Sequence, residues 1–224
     1  DSNERFGEYV ADCLRKLKVK TNRTKNCPAG KRNTHDFYAW HSQCSMFIDW
    51  MFKVCLGLDN DKLTSYDKIN INWILNTPRA FRISFLQGVA DSDGYIDITE
   101  YRAGIVTKVN AYIFKEILKS LGVKSKVGFL HKKTLQQVKT RLEEAVRLPL
   151  FNPEVNSYRY QLMKKVTKAK KLKHHWPRWF GNEIDKYLKE GLSSTKIIKR
   201  VLKRHNTIIR QGGIYKRSQK LKCQ

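Results

Sequence analysis

Apolar and polar positions along the first part of the chain follow a helix–strand–strand–helix order. Residues 3–18 carry apolar side chains at every third or fourth position, which predicts an amphipathic helix. Residues 20–25 and 35–42 are typical of strands on either side of a loop. Residues 44–56 are rich in apolar side chains and predict a second helix, followed by a polar linker over residues 59–72.

The pattern after the linker again mixes helices and strands. The predicted elements are a helix ending near residue 93, strands at 95–100 and 104–107, a helix at 110–121, a strand at 124–129 and a helix at 134–146. This order predicts an α+β fold. The second series shows no clear counterpart of the strand predicted at residues 35–42.

The two series are related by a diverged internal repeat with an offset of 104 residues. The offset aligns apolar residues with apolar residues at helical spacing, which is expected if two copies of one unit share a fold. Tyr9, Val10, Cys13, Leu14, Leu17 and Val19 align with Ile113, Phe114, Ile117, Leu118, Leu121 and Val123. We therefore expect residues 1–72 to form a partial first repeat and residues 73–150 a second repeat.

The helix that ends near residue 93 carries the sequence L-Q-G-V-A-D-S-D-G from Leu86 to Gly94. Ser84 and Gly88 lie four residues apart on one helical face and have little side-chain bulk, which allows a second helix to approach closely. Gly94 permits backbone angles that end a helix abruptly. Asp93 is thereby placed at the helix end, where its carboxylate is a suitable ligand for a hard divalent cation.

This nine-residue stretch resembles the signature of the LAGLIDADG homing endonucleases. The resemblance covers about residues 1–150 and implies a saddle of antiparallel strands with helices on one side. It also implies that Asp93, with the main-chain carbonyl of Ser92, holds Mg²⁺ or another divalent cation for DNA cleavage. The first copy of the motif would fall before residue 1. Either the segment that carries it precedes residue 1, or the protein departs from the two-motif pattern, and the second catalytic acid has no assignment.

The resemblance further implies a basic residue near the active site and base contacts from the strands. Lys126, Lys132 and Lys133 are the candidates for the basic residue, with Lys126 as our working choice. A two-stranded ribbon fits the major groove of DNA, and its alternate side chains can contact base edges. The predicted DNA contacts of the strands are Lys20, Asn22, Thr24, Asp97, Thr99, Arg102, Lys124 and Lys126.

The charge of the chain is consistent with a nucleic-acid partner. Lysine and arginine number 45 against 20 acidic residues, a formal net charge of +25. Such an excess favours phosphate contacts. The sequence contains no apolar run near the roughly 18 residues that a membrane helix needs, so we expect a soluble intracellular protein without a membrane partner.

The last third of the chain differs in character. Residues 151–175 predict a basic linker helix, and residues 176–224 predict a small all-α module. Its pattern resembles the helix-turn-helix of resolvases, with a third helix beginning at Thr207. The implied DNA contacts are Thr207, Arg210, Gln211, Tyr215 and Lys216. We expect a chain ending near Arg147 to keep its fold and to bind DNA more weakly.

The sequence thus predicts a site-specific DNA endonuclease that makes a metal-dependent double-strand cut. The expected partner is double-stranded DNA, with RNA also possible, and the protein is expected to be a monomer if the first repeat is complete. The alternative is a cleavage-inactive DNA-binding regulator or an RNA intron maturase of the same fold.

Overall fold

The first part of the chain forms a helix–hairpin–helix unit. The computed structural model describes residues 4–27, 37–43, 45–58, 67–130, 134–172 and 176–222. Strands β1 and β2 pair in an antiparallel hairpin, and α1 packs on one face of it, where any side chain at Gly7 would overlap the Trp40 ring. The elements are α1 (Glu4–Lys16), β1 (Thr21–Cys27), β2 (Phe37–Ser42) and α2 (Met46–Trp50), which continues as π-helix over Met51–Cys55.

The second part is an antiparallel sheet of four strands with helices on one face. Its strands lie in the spatial order β3-β4-β6-β5. The elements are α3 (Ile71–Leu75), α4 (Arg79–Asp93), β3 (Gly94–Asp97), β4 (Arg102–Thr107), α5 (Ala111–Ser120), β5 (Ser125–Leu130), β6 (Leu135–Arg141) and α6 (Leu142–Arg147).

The third part is mainly helical, but it contains a short pair of parallel strands. Strand β7 (Lys170–Leu172) pairs with β8 (Thr207–Ile209), and two helices lie between these strands in the sequence. The prediction of an all-α module is therefore wrong. The elements are α7 (Ser157–Lys168), β7 (Lys170–Leu172), α8 (Arg178–Lys189), α9 (Ser194–His205), β8 (Thr207–Ile209) and α10 (Gln211–Lys222).

The predicted α+β class is confirmed. The order helix–strand–strand–helix occurs twice, as α1-β1-β2-α2 and as α5-β5-β6-α6. Strand β5 begins 104 residues after residue 21, which is the offset that the sequence repeat predicts. Strand β6 is the counterpart of β2 that the sequence did not show.

Three predicted helices are wrong in part. The helix predicted at residues 134–146 is mostly strand β6, and only α6 is helical. The third helical stretch does not begin at Thr207, because residues 207–209 form β8 and α10 starts at Gln211. The basic linker helix predicted within residues 151–175 covers only Ser157–Lys168, and β7 follows it.

The main core lies between the helices and one face of the four-stranded sheet. Ile105 and Val138 project from neighbouring strands into it, where α4 and α5 cover them. The same core continues into the third part, because Phe151, Met163 and Val166 are buried in it. A chain ending near Arg147 would lose these side chains from its core, which argues against the expectation that it keeps its fold.

Candidate functional site

Helix α4 passes directly into strand β3 at Gly94. The backbone of Gly94 is extended, with φ −83° and ψ 158°, so the helix ends without a left-handed residue. Glycine is needed there for another reason. A Cβ atom at this position would lie 2.3 Å from the Ala90 carbonyl oxygen and 2.7 Å from the Phe151 ring. Glycine thus lets the start of β3 lie close to the last turn of α4 and to Phe151.

Asp93 is the last residue of α4, and its side chain is exposed. Among the described residues its carboxylate takes part in no hydrogen bond or ion pair. Ser92 beside it is also exposed, and its hydroxyl donates to the Val89 carbonyl at 3.0 Å. The Asp93 carboxylate is therefore accessible to a ligand from solvent.

Asp91 has a different environment from Asp93. It is 6% exposed, and its carboxylate accepts a hydrogen bond of 3.2 Å from the main-chain N–H of Asn152. Burial raises the pKa of Asp91 to about 6, although the Asn152 N–H and the charge of Arg159 act in the opposite direction. Gln87 donates to the Pro149 carbonyl at 2.8 Å. These two hydrogen bonds tie the motif helix to the loop after α6 and so determine where Asp93 lies.

The small-residue face of α4 is solvent-exposed in the described part of the chain. Ser84 and Gly88 are both exposed, and a Cβ atom at Gly88 would find no described atom within 4 Å. The packing of this face against another helix therefore stays a prediction. Leu86 and Ala90, on the opposite face of α4, are fully buried in the core.

Polar and basic side chains cover the face of the sheet that points away from the helices. Side chains alternate along a strand, so residues paired across the register share a face. Tyr95, Gly104, Lys139 and Lys126 follow one another across the four strands, opposite to the buried row that contains Ile105 and Val138. We call this polar side of β3-β4-β6-β5 the outer face. The predicted contacts Asp97, Arg102 and Lys126 lie on it by register, and Lys124 is exposed just before β5.

Three residues of the outer face were not among the predicted contacts. Gln137, Lys139 and Arg141 lie on β6, which the sequence assigned to a helix. Gln137 accepts a hydrogen bond of 2.5 Å from the Tyr95 hydroxyl, and Lys139 pairs with Glu100 at 3.4 Å. Alternation along a strand would have found them, had the strand been recognised.

Lys126 is not close to Asp93 within the chain. It lies on β5, the far edge strand, and three strand spacings of about 4.8 Å place it about 14 Å from β3. Lys139 is one strand nearer. The other two candidates, Lys132 and Lys133, lie outside the described residues.

Two of the predicted contacts have a structural part in the turn after β3. One carboxylate oxygen of Asp97 accepts hydrogen bonds from the N–H and hydroxyl of Thr99, at 2.8 and 2.6 Å. It also accepts one from the Glu100 N–H at 3.1 Å. This arrangement fixes the turn between β3 and β4, so neither side chain is free to change partner without cost.

In the first hairpin the predicted contacts lie on the face away from α1. Arg23 lies on the face of the hairpin that α1 covers, because its guanidinium pairs with Glu4 of α1 at 3.0 Å. The same guanidinium lies 4.0 Å from the centre of the Tyr38 ring. Asn22 and Thr24 alternate with Arg23 and therefore point to the opposite side. Lys20 is exposed just before β1, and the Thr24 hydroxyl lies 3.0 Å from His41 Nε2.

Of the DNA contacts predicted in the third part, all but Thr207 are exposed. Arg210, Gln211, Tyr215 and Lys216 are exposed at the start of α10 or just before it. Thr207 is buried, and its hydroxyl donates to the His205 carbonyl at 2.9 Å. Its position in β8 leaves it no surface with which to reach a groove, which corrects its assignment as a DNA contact.

Across the described ranges, no three His, Cys, Asp or Glu side chains gather in a group that could hold a metal ion. Asp93 therefore provides a single carboxylate from this part of the chain. In the same ranges, every helix is too short or too polar to cross a membrane.

No protein-family profile and no curated protein sequence matches the chain. Solved structures with similarity to it include a mesophilic variant of the homing endonuclease I-DmoI, at 18% identity and a TM-score of 0.45 over 69% of this chain and 75% of that chain. The N-terminal LAGLIDADG domain of DUF199/WhiA has 10% identity and a TM-score of 0.42, over 66% of this chain and 65% of that one. Full-length DUF199/WhiA from Thermatoga maritima has 10% identity and a TM-score of 0.44, over 96% and 78%. Similarity of this degree does not assign a function.

Proposed function

We propose that the protein is a LAGLIDADG-type DNA endonuclease that cuts both strands at a specific site. The observation that carries the proposal is the exposed carboxylate of Asp93 at the end of α4, next to a sheet whose outer face is polar and basic. The motif helix is held at that point by Gly94 and Asp91, as shown above. A helix end held so firmly keeps a carboxylate in position for chemistry.

The ligand atoms at this point fit a hard divalent cation in type but not in number. Carboxylate and main-chain carbonyl oxygens from Asp93 and Ser92 are the ligands that Mg²⁺ prefers. A bound cation would supply activated water and stabilisation of the leaving oxygen in phosphodiester hydrolysis. In a two-acid site, the second carboxylate would come from another helix or from a second chain, packed on the exposed face at Ser84 and Gly88.

The outer face is the surface we assign to DNA. A sheet of twisted antiparallel strands can enter the major groove, where alternate side chains contact base edges and phosphates. Arg102, Lys124, Lys126 and Lys139 supply positive charge there, and Gln137 and Tyr95 form a hydrogen-bonded pair beside them. The first hairpin extends the set with Lys20, Asn22 and Thr24.

The alternative is a protein that binds nucleic acid without cutting it, either as a DNA-binding regulator or as an RNA maturase. The observation in its favour is that Asp93 has no second carboxylate beside it among the described residues. The basic outer face serves either function equally well, so only an assay of products separates them.

A selection for cut plasmids tests the proposal. The protein is incubated with a plasmid library of randomised inserts in Mg²⁺, in Mn²⁺ or with a chelator, and linear products are sequenced. We expect linear products with a common sequence at the cut in either cation and none with the chelator. Duplex binding without linear products in both cations would support the regulator instead. Tighter binding to structured RNA than to any duplex DNA would support the maturase.

A further inference from the structure

We propose that a groove along the free edge of β3 binds a single strand of nucleic acid. The groove has a volume of about 510 Å³, within the range of roughly 300–1,000 Å³ that is typical of ligand sites. Its walls come from three parts of the molecule: residues 94–99, helix α7, and the facing starts of α9 and α10. Binding there needs no cleavage chemistry, so this inference can hold or fail separately from the proposed nuclease activity.

The groove follows the edge of the strand rather than one of its faces. Six consecutive residues, 94–99, line it, although alternate residues of a strand point to opposite faces. Among the described residues β3 pairs only with β4, so its other edge offers unpaired peptide groups. The groove begins at Gly94, directly after Asp93.

The three helices around the groove are strongly basic. Helices α7, α9 and α10 have four, five and four Lys or Arg residues, and no Asp or Glu. Arg159 and Lys199 line the groove itself. The acid in its lining is Asp97, whose carboxylate already accepts three hydrogen bonds from the turn after β3. The charge in and around the groove therefore favours an anionic occupant.

An exposed aromatic ring lies at the same place. Tyr158 lines the groove with 75% of its surface exposed, and Leu162 adds an apolar side chain one turn along α7. A basic groove with an exposed ring is the combination that single-stranded nucleic acid uses, since bases stack on the ring and phosphates contact the cations. An acidic peptide added to the strand edge would satisfy the charge but would not use the ring.

Fluorescence anisotropy with labelled oligothymidylate, oligouridylate and a duplex of equal length tests the inference on the intact chain. We expect Tyr158→Ala to weaken binding of the single strands by about tenfold, as loss of base stacking does, and to change duplex binding little. Tyr158 is exposed, so the melting temperature should not change. Equal losses for the two oligonucleotides indicate a site for either nucleic acid, and a larger loss for one identifies it as the ligand.

Lys199→Gln and Lys203→Gln form a matched pair. Both remove one exposed charge from α9, but only Lys199 lines the groove. Lys199→Gln should weaken single-strand binding severalfold more than Lys203→Gln does. Equal effects of the pair, an unchanged affinity in Tyr158→Ala, or equally effective competition by polyglutamate of the same charge would each overturn the inference. Loss of cleavage in an Asp93 variant with normal single-strand binding would leave it intact.

Discussion

The two helix–hairpin units have the same order of elements but bury their apolar residues to very different extents. Val10 on α1 is 39% exposed, whereas its repeat partner Phe114 on α5 is 5% exposed. Leu17 is 55% exposed, and its partner Leu121 is 2% exposed. The sequence pattern of the two helices is alike, so the difference comes from what packs on them.

The second unit is covered by elements that have no counterpart on the first within the described residues. Strand β6 pairs with β4 on one side and β5 on the other, whereas β2 pairs with β1 alone. Helix α3 and strands β4, β5 and β6 pack against α5 and bury it. An amphipathic helix thus shows which face can be buried, and the neighbouring layer decides whether it is buried.

The largest expected effect is on stability, from truncating the paired leucines. Leu121→Ala should lower the free energy of unfolding by about 2–5 kcal/mol, because it opens a cavity in the core. Leu17→Ala should change it by less than about 0.5 kcal/mol, since that side chain is exposed. Urea unfolding of both variants measures the difference. Equal losses would show that the first unit is covered in solution by a partner or segment.

The second prediction concerns Asp91, which ties α4 to the loop after α6. Its pKa in the folded protein, about 6, is raised above the ordinary value of 3.8, so the fold favours the protonated form. The stability that this preference contributes is fully present below about pH 3.8 and is lost as the pH rises through about 6. As the pH rises from 4 to 8, the free energy of unfolding of Asp91→Asn should therefore increase relative to that of the wild type, by up to about 3 kcal/mol. Unfolding is measured with a chelator present, and a difference between the two proteins that is independent of pH would contradict the assignment.

The third prediction contrasts two glycines. A Cβ atom at Gly104 would lie 2.7 Å from the Val138 carbonyl oxygen and 2.8 Å from the Tyr95 ring, whereas at Gly88 it would meet nothing. Gly104→Ala should lower the free energy of unfolding by about 1–3 kcal/mol, because the added methyl group overpacks the site. Gly88→Ala should raise the free energy of unfolding by about 0.5–1 kcal/mol, because alanine favours the helix. Melting temperatures test the pair, and a destabilised Gly88→Ala protein would show that another helix already covers α4.

The smallest expected effect compares the two units as DNA-binding surfaces. Lys20 and Lys124 are repeat partners, and both are exposed. If both units contact phosphates, Lys20→Gln and Lys124→Gln should each reduce the slope of log affinity against log salt by about 0.9. Lys119→Gln, on the exposed side of α5, is the control and should leave the slope unchanged. A change in only one of the two variants would limit the interface to one unit.

Sequence alone was sufficient for the helices with strong apolar periodicity and for the position of Asp93. It failed at residues 134–146 for a physical reason. Leu135, Val138, Leu142 and Ala145 are spaced three or four residues apart, so the helical spacing of apolar residues in α6 continues backwards through β6. Residues Lys139 and Arg141 of the outer face were missed with that strand. Strand β8 has three residues, all buried, which is too short to show alternation.

The most direct test of the account compares Asp93→Asn with a matched control for cleavage and binding of a selected DNA site. Asn keeps the shape of the side chain but loses the charge that would hold a cation. Glu116→Gln removes a charge from the exposed side of α5, away from the motif helix. We predict that Asp93→Asn loses cleavage in Mg²⁺ while its DNA affinity stays close to that of the wild type, and that Glu116→Gln keeps both. Cleavage by Asp93→Asn at the wild-type rate would contradict the central claim.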